Sequence, residues 1–181
     1  MLFLFHFFLV ITLVLFFANS GKPFFIQRRI GKYEKTIKII KFRTMNDNRD
    51  NEGQLLPSRE RITAIGAIIR KASLDELPQL LNIIKGDLSF VGPRPLLTDY
   101  LPLYNSEHRK RHSVYPGITG WAQLNSKKVT SWQQKLDFDI WYVNNISFLL
   151  DCRIFFLSLI RLLNREGMSD KETLHRFNGT N

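Results

Sequence analysis

Asp75 and Glu76 stand side by side in Arg70-Lys-Ala-Ser-Leu-Asp-Glu-Leu-Pro-Gln-Leu80, shortly before Gly92-Pro-Arg-Pro95. A carboxylate attacks a phosphorus atom only where nearby positive charge offsets the repulsion between two anions. Acids set among cations and stiff turns therefore point to phosphoryl transfer. Neighbouring residues on a helix project about 100° apart, so the two acids have separate roles and do not form a face-to-face pair. Pro78 is tolerated only near a helix start, which places Asp75 at or close to an N-cap, where peptide N–H groups favour the ionised carboxylate that a nucleophile requires. From these residues alone Asp75 is either that nucleophile or a plain cap, with Glu76 in the solvated first turn. Lys41, Arg43, Arg70, Lys71 and Arg94 could converge on a phosphate if the strand end carrying the first two packs near the start of that helix. Arg94 is the strongest of them, because prolines on both sides hold its guanidinium on a stiff support suited to a bidentate phosphate contact.

Other constellations are weaker. The run His108-Arg-Lys-Arg-His112 reads as a solvated or lipid-facing basic patch. His108 and His112 have helical spacing for a shared metal, but no third ligand is apparent. Asp137-Phe-Asp139 has the Asp-x-Asp form with which many nucleotide-sugar glycosyltransferases hold a metal. It sits in Trp132-Gln-Gln-Lys-Leu-Asp-Phe-Asp-Ile-Trp-Tyr142, which is helical in pattern, and carboxylates two apart diverge on a helix, so a structural role is expected. Neither a Walker loop nor a Gly-x-Gly-x-x-Gly fingerprint is present.

The elements that must position these residues are legible in outline. Pro23 to Ile30 and Thr36 to Phe42 are β-rich runs joined by Gly31-Lys-Tyr-Glu-Lys35, a short hairpin. Residues 46 to 60 are polar and read as a loop or mobile lid, and helical patterns follow around 61 to 71 and 76 to 85. Pro93, Pro95, Pro116, Gly117 and Gly120 mark an irregular middle. The expectation is an α/β domain, mainly helical, with a short β-hairpin, an N-terminal hydrophobic membrane helix and interfacial amphipathic helices.

Residues 2 to 17 carry no formal charge with His6 neutral, and a helix of about 16 residues is roughly 24 Å long, short of a comfortable crossing of ~30 Å. Lys22, Arg28, Arg29, Lys32 and Lys35 follow at once, and such a cluster tends to stay in the cytoplasm. Residues 148 to 165 place Asp151, Arg153, Ser158, Arg161, Asn164 and Arg165 on one arc of roughly 160°, with Phe155, Phe156, Leu159, Ile160, Leu162 and Leu163 mostly opposite, a pattern suited to a water–lipid interface. Lys and Arg outnumber Asp and Glu by 26 to 16, for a formal charge of +10, which points to phosphate-bearing substrates, anionic lipid or nucleic acid. No nucleic-acid motif accompanies that charge, and the aromatics lie mostly in apolar stretches, so nucleic acid is not an expected partner. The single cysteine, Cys152, excludes an internal disulfide and fits a reducing compartment.

Five ordered segments carry a resemblance: Gln27-Arg-Arg-Ile-Gly31, Lys41-Phe-Arg-Thr-Met45, Ser73-Leu-Asp-Glu-Leu-Pro-Gln-Leu80, Lys85-Gly-Asp-Leu-Ser-Phe-Val-Gly-Pro-Arg-Pro95 and Pro116-Gly-Ile-Thr-Gly-Trp-Ala-Gln123. In order and spacing, over about residues 22 to 169, they resemble the bacterial sugar transferase family of monotopic phosphoglycosyl transferases. The resemblance implies transfer of a sugar 1-phosphate from a UDP-sugar to polyprenyl (undecaprenyl) phosphate, with release of UMP, to initiate surface glycan synthesis at the cytoplasmic face of a bacterial inner membrane. It implies that Asp75 is the nucleophile of a covalent phosphosugar intermediate and Glu76 its acidic partner. Lys41, Arg43, Arg70 and Arg94 match basic family positions that would hold phosphates or the nucleotide. Magnesium is the expected cofactor, a hard cation held by the carboxylates of Asp75 and Glu76 and by phosphate oxygens.

The family's hydrophobic helix usually has a basic start and a Ser-Pro break, and Phe5-His6 stands about where that break is expected. Residues 1–20 are accordingly read as a re-entrant anchor in truncated form, 21–170 as the catalytic domain and 171–181 as a polar tail. The rival readings are a metal-dependent glycosyltransferase using Asp137 and Asp139, and a basic membrane-binding module without turnover.

Overall fold

The computed structural model describes residues 2–164 and 177–179. In chain order the elements are helix α1 (Leu2–Ala18), strands β1 (Phe24–Ile30) and β2 (Thr36–Phe42), helices α2 (Ser58–Arg61), α3 (Ala64–Lys71) and α4 (Gln79–Ile84), strand β3 (Ser89–Val91), helix α5 (Ser106–Arg109), strand β4 (Gly117–Thr119), and helices α6 (Trp121–Leu124), α7 (Trp132–Asn144) and α8 (Phe148–Leu163). Short 3-10 turns join several of them. The expected mainly helical α/β chain with a short hairpin is what forms: β1 and β2 pair, and a 3-10 turn at Lys32–Glu34 closes their tip. The chain divides into two compact units, Met1–Ile26 with Ile40–Leu80, and Gln27–Ile39 with Leu81–Asn181.

In the first unit α1 ends because Ser20 takes a left-handed conformation and the Gly21 N–H donates back to the Phe16 carbonyl, a Schellman stop. Among the side chains described from residue 6 on, one stripe of α1 is covered. Ile11 and Leu15 pack with Phe42 and Ile69, flanked by Phe8 and Phe24, and the Phe8, Phe24 and Phe42 rings form a cluster with centroids 5.2 to 6.2 Å apart. Phe7, Leu9, Val10, Leu13, Val14, Phe16 and Phe17 are exposed, Phe17 to 80%. Among the described residues no helix is long and apolar enough to cross a membrane. Residues 46 to 60, expected as a loop or lid, hold a tight turn in which Asp50 Oδ1 accepts from the Glu52 and Gln54 N–H groups, tied down by bridges between Arg49 and Leu55 and between Met45 and Ile62.

The second unit contains a feature absent from the sequence reading: β3 and β4 pair in parallel, Ser89 with Gly117 and Val91 with Thr119. Strands of three residues are too short to show a hydrophobic period. Their closeness rests on glycine: a β-carbon at Gly117 would overlap the Gly92 nitrogen, and one at Gly120 the Gly92 carbonyl oxygen. Helix α8 lies against both strands, and buried Ser158 hydrogen-bonds Thr119 across 2.6 Å. A separate core gathers Ile30, Leu96, Tyr100, Tyr104, Trp132, Leu136 and Phe177. Phe177 falls in the stretch expected as a polar tail; most of that stretch, and Arg165 of the amphipathic pattern, lie outside the described residues.

Backbone crowding at β4 gives a direct expectation. Gly117→Ala should lower unfolding stability by about 1–3 kcal/mol through overpacking, measured by denaturant titration, whereas Gly53→Ala has open space around its β-carbon and should lose only what its positive φ costs, about 1 kcal/mol.

Candidate active site

The alternation of β2 sets the first half of the site. Side chains alternate faces along a strand, so with Phe42 buried in the aromatic cluster, Lys41 and Arg43 share the opposite side. Lys41 Nζ donates to Glu76 Oε1 at 2.7 Å, and Arg43 Nη1 to Asp47 Oδ2 at 2.9 Å. The chain then reaches Thr44, which is buried and meets α3 at its start. Thr63 caps that helix by accepting from the Gly66 N–H, and Gly66 lies so close that a β-carbon would overlap the Thr44 carbonyl. From the last turn of α3, Arg70 Nε donates to Thr44 Oγ1 at 2.9 Å, and its Nη2 lies 3.1 Å from Met45 Sδ. Helix α3 thereby delivers Arg70 to the strand end that carries Lys41 and Arg43.

Asp75 and Glu76 follow, but not as a helix cap. After α3 the chain turns through Ser73 in the left-handed region and enters a 3-10 turn, Leu74–Glu76, with the Leu77 N–H donating to the Leu74 carbonyl. Helix α4 begins only at Gln79, beyond buried Pro78, so the expected helix from residue 76 with Asp75 at its N-cap is corrected. Residues three apart eclipse on a 3-10 turn, and here Leu74 and Leu77 pack on the Phe42–Ile69 cluster. The acid pair is held between two apolar pins. Asp75 and Glu76 are both half-buried, and Lys41 fixes one oxygen of Glu76. Lys41, Arg43, Arg70, Asp75 and Glu76 all belong to the first unit; Arg94 belongs to the second.

Arg94 is held by its backbone. The Gly117 N–H donates to the Pro93 carbonyl at 3.1 Å, the Ile30 N–H to the Leu96 carbonyl at 3.0 Å, and Arg111 Nη2 to the Arg94 carbonyl at 2.8 Å. Between Val91 and Leu96 every residue is buried except Arg94, which is half-buried.

The run 108 to 112 differs from its expectation as a solvated or lipid-facing patch. Arg109 and Lys110 are outside, whereas His108, Arg111 and His112 are buried, because the segment is a short helix followed by a 3-10 turn that packs on α7. Arg111 is 2% exposed and Asp139, also 2% exposed, accepts from its Nε at 3.1 Å and its Nη2 at 2.7 Å. Burial alone would favour the neutral guanidine, but the Asp139 carboxylate, with Tyr104, outweighs it and holds Arg111 charged. Asp139 is therefore an ion-pair partner, and Asp137 is exposed on another side of α7; the pair does not present two carboxylates to one metal. His108 lies 3.0 Å from Gln133 and edge-on to Tyr104, and no group of three metal-ligating side chains occurs among the described residues. Arg111 was missed because a run of basic residues gives no sign of which one turns inward; an acid two turns into α7 was the available hint.

The carboxylate oxygens of Asp75 and Glu76 suit a hard divalent cation. With one Glu76 oxygen on Lys41, they would supply one or two ligands, the number magnesium ordinarily takes from protein in phosphate chemistry.

His112 has its own consequence. Burial, then the nearby Arg111 and Arg109 charges, push its pKa down to about 3. The unfolded chain takes up a proton near pH 6.5 that the folded chain refuses, so His112 favours folding above that pH and its contribution falls as pH drops from 6.5 toward 3. Between pH 7 and pH 5 His112→Gln should lose less stability than the wild type, by on the order of 1–2 kcal/mol, in paired denaturant titrations.

Comparison with known proteins follows the same motifs. The bacterial sugar transferase family model matches residues 1–165. The chain is 50% identical over 175 residues to the uncharacterized sugar transferase EpsL of Bacillus subtilis (strain 168), covering 95% of this chain and 87% of that one. It is 38% identical over 169 residues to the exopolysaccharide production protein ExoY of Sinorhizobium fredii, covering 84% of this chain and 75% of the relative. It is 37% identical over 161 residues to the UDP-glucose:undecaprenyl-phosphate glucose-1-phosphate transferase of Xanthomonas campestris pv. campestris, covering 82% of this chain but 33% of that larger protein.

Proposed function

This chain belongs to the bacterial sugar transferase family, and from that membership we propose that it transfers a sugar 1-phosphate from a UDP-sugar to polyprenyl (undecaprenyl) phosphate, with release of UMP. The Xanthomonas relative's name contains a UDP-sugar donor, an undecaprenyl-phosphate acceptor and a sugar 1-phosphate as the group moved. The observation that carries the reading onto particular residues is the acid pair on its 3-10 turn, pinned by Leu74 and Leu77, with Lys41 on Glu76 and Arg70 at the same strand end.

A carboxylate oxygen of Asp75 attacks the sugar-bearing phosphorus of the donor, forming an acyl-phosphate bond as the bond from that phosphorus to the bridging oxygen breaks and UMP departs. A phosphate oxygen of the polyprenyl acceptor then attacks the same phosphorus. The bond to Asp75 breaks, the carboxylate is regenerated and the product is a polyprenyl diphosphosugar. Lys41, Arg43, Arg70 and Arg94 hold the donor's phosphates or nucleotide, which places positive charge where two anions must meet. Glu76, oriented by Lys41, assists in proton handling. Magnesium bound by Asp75 and Glu76 would neutralise phosphate charge and make UMP a better leaving group.

We place the domain at the cytoplasmic face of the bacterial inner membrane. Helix α8 supports the membrane contact in this reading: its polar Ser158 faces inward, while Phe148 and Leu149 are 81% and 79% exposed and Phe155, Phe156, Leu159, Ile160 and Leu163 are exposed with them. An outward apolar face of that breadth is a docking surface for lipid.

Two measurements test the proposal. Incubated with magnesium, undecaprenyl phosphate and a panel of UDP-sugars in detergent or nanodiscs, the protein should release UMP, and Asp75→Asn should reduce the rate by at least about 10³-fold, as loss of a nucleophile does. Release of UDP, or full activity in D75N, would refute it. In liposome flotation with anionic lipid, Leu149→Asp combined with Phe156→Asp should leave most of the protein unbound; flotation equal to wild type would remove α8 from the interface.

A further inference from the structure

The backbone of the Pro93-Arg-Pro95 segment has an unusual hydrogen-bonding problem. Its two prolines contribute no N–H, and its buried carbonyls still need donors, which come from other parts of the chain. The Pro93 carbonyl is met by the Gly117 N–H, and just beyond the segment the Leu96 carbonyl is met by the Ile30 N–H. The Arg94 carbonyl is met by a side chain, Arg111 Nη2 at 2.8 Å, and the same nitrogen also donates to Asp139 Oδ2 at 2.7 Å. A second donor, Nε, reaches that same carboxylate oxygen, which sets the plane of the fork.

Such a buried pair is a poor choice for stability alone, since well-packed apolar residues often serve as well. Its specific property is direction. A lysine could meet Asp139 as a point charge but lacks the rigid planar fork that spans the carboxylate and the Arg94 carbonyl together. Arg94 is the only residue from Val91 to Leu96 that is not buried, so fixing its carbonyl fixes the origin of the one side chain that the segment presents outward.

We propose that Arg111 and Asp139 are positioning residues for Arg94, holding the backbone from which its guanidinium meets a substrate phosphate. This rests on the reading of Arg94 as a phosphate-binding residue. The pair acts through Arg94 and touches no substrate.

The test is a double-mutant cycle on UDP binding, with UDP as the probe and calorimetry on the full chain in detergent, each variant first shown to be folded by circular dichroism. Arg94→Ala should weaken UDP binding by about tenfold or more. Arg111→Lys, and independently Asp139→Asn, should each weaken it several-fold in the wild-type background and leave it unchanged within error in the R94A background. A general structural lesion would weaken binding by the same factor in both backgrounds, and that additivity would overturn the proposal while leaving Arg94 as a phosphate ligand. Unchanged binding in both R111K and D139N would overturn it as well. If the wild type does not bind UDP, or R94A binds it as tightly, the phosphate reading of Arg94 fails and the proposal fails with it. Should R111K not fold, D139N alone completes the cycle.

Discussion

A guanidinium that is 2% exposed cannot stand in a protein interior unless its charge and its N–H groups are answered, and the second unit is arranged around that demand. Arg111 brings α7 against the preceding 3-10 turn through Asp139, and it brings the Arg94 backbone to the same point. Tyr104 lies with its ring 5.9 Å from the guanidinium, and burial raises that phenol's pKa against the opposing pull of the Arg111 charge. His112, one residue on, is forced to the neutral state by the same burial and by the same charge. Burial first, and this cation second, therefore hold His112 neutral, and the same cation sets the course of the chain.

The first unit solves a different problem, which is to aim polar groups from a small scaffold. It does so by placing each between apolar residues that are committed to the core. Phe42 commits between Lys41 and Arg43; Leu74 and Leu77 commit on either side of Asp75 and Glu76. A strand with a period of two and a 3-10 turn with a period of three place the cations of one element and the acids of the other at the same edge of one aromatic cluster. The Lys41–Glu76 contact is the result of that geometry.

Much of this was legible in the sequence. The hairpin announced itself by two β-rich runs around Gly31, and α7 and α8 by their helical periods. The cationic set Lys41, Arg43 and Arg70 was named with the acids because phosphate chemistry needs both. What escaped reading had physical reasons. Asp75 looked like a cap because proline at 78 marks a start, but proline also follows a tight turn, and spacing alone does not separate the two. The β3–β4 pair was hidden because three residues show no alternation, and its closeness depends on Gly117 and Gly120, which read simply as turn formers. Arg111 looked like its exposed neighbours, since only the partner, Asp139, distinguishes it, and that partner lies 28 positions away.

The parallel pairing of β3 with β4 has a kinetic consequence. Parallel strands cannot be joined by a tight turn, so Ser89 meets Gly117 only after the whole segment between them has been closed into a loop. Closing a loop of that size costs on the order of 3 kcal/mol of chain entropy before any contact rewards it. The ladder that repays this is three residues long, and its hydrogen bonds are few. Contacts of such high sequence separation form late, while local helices and the hairpin are already in place. The Gly92–Pro95 segment is tied to that ladder, so it too takes its final course late in folding.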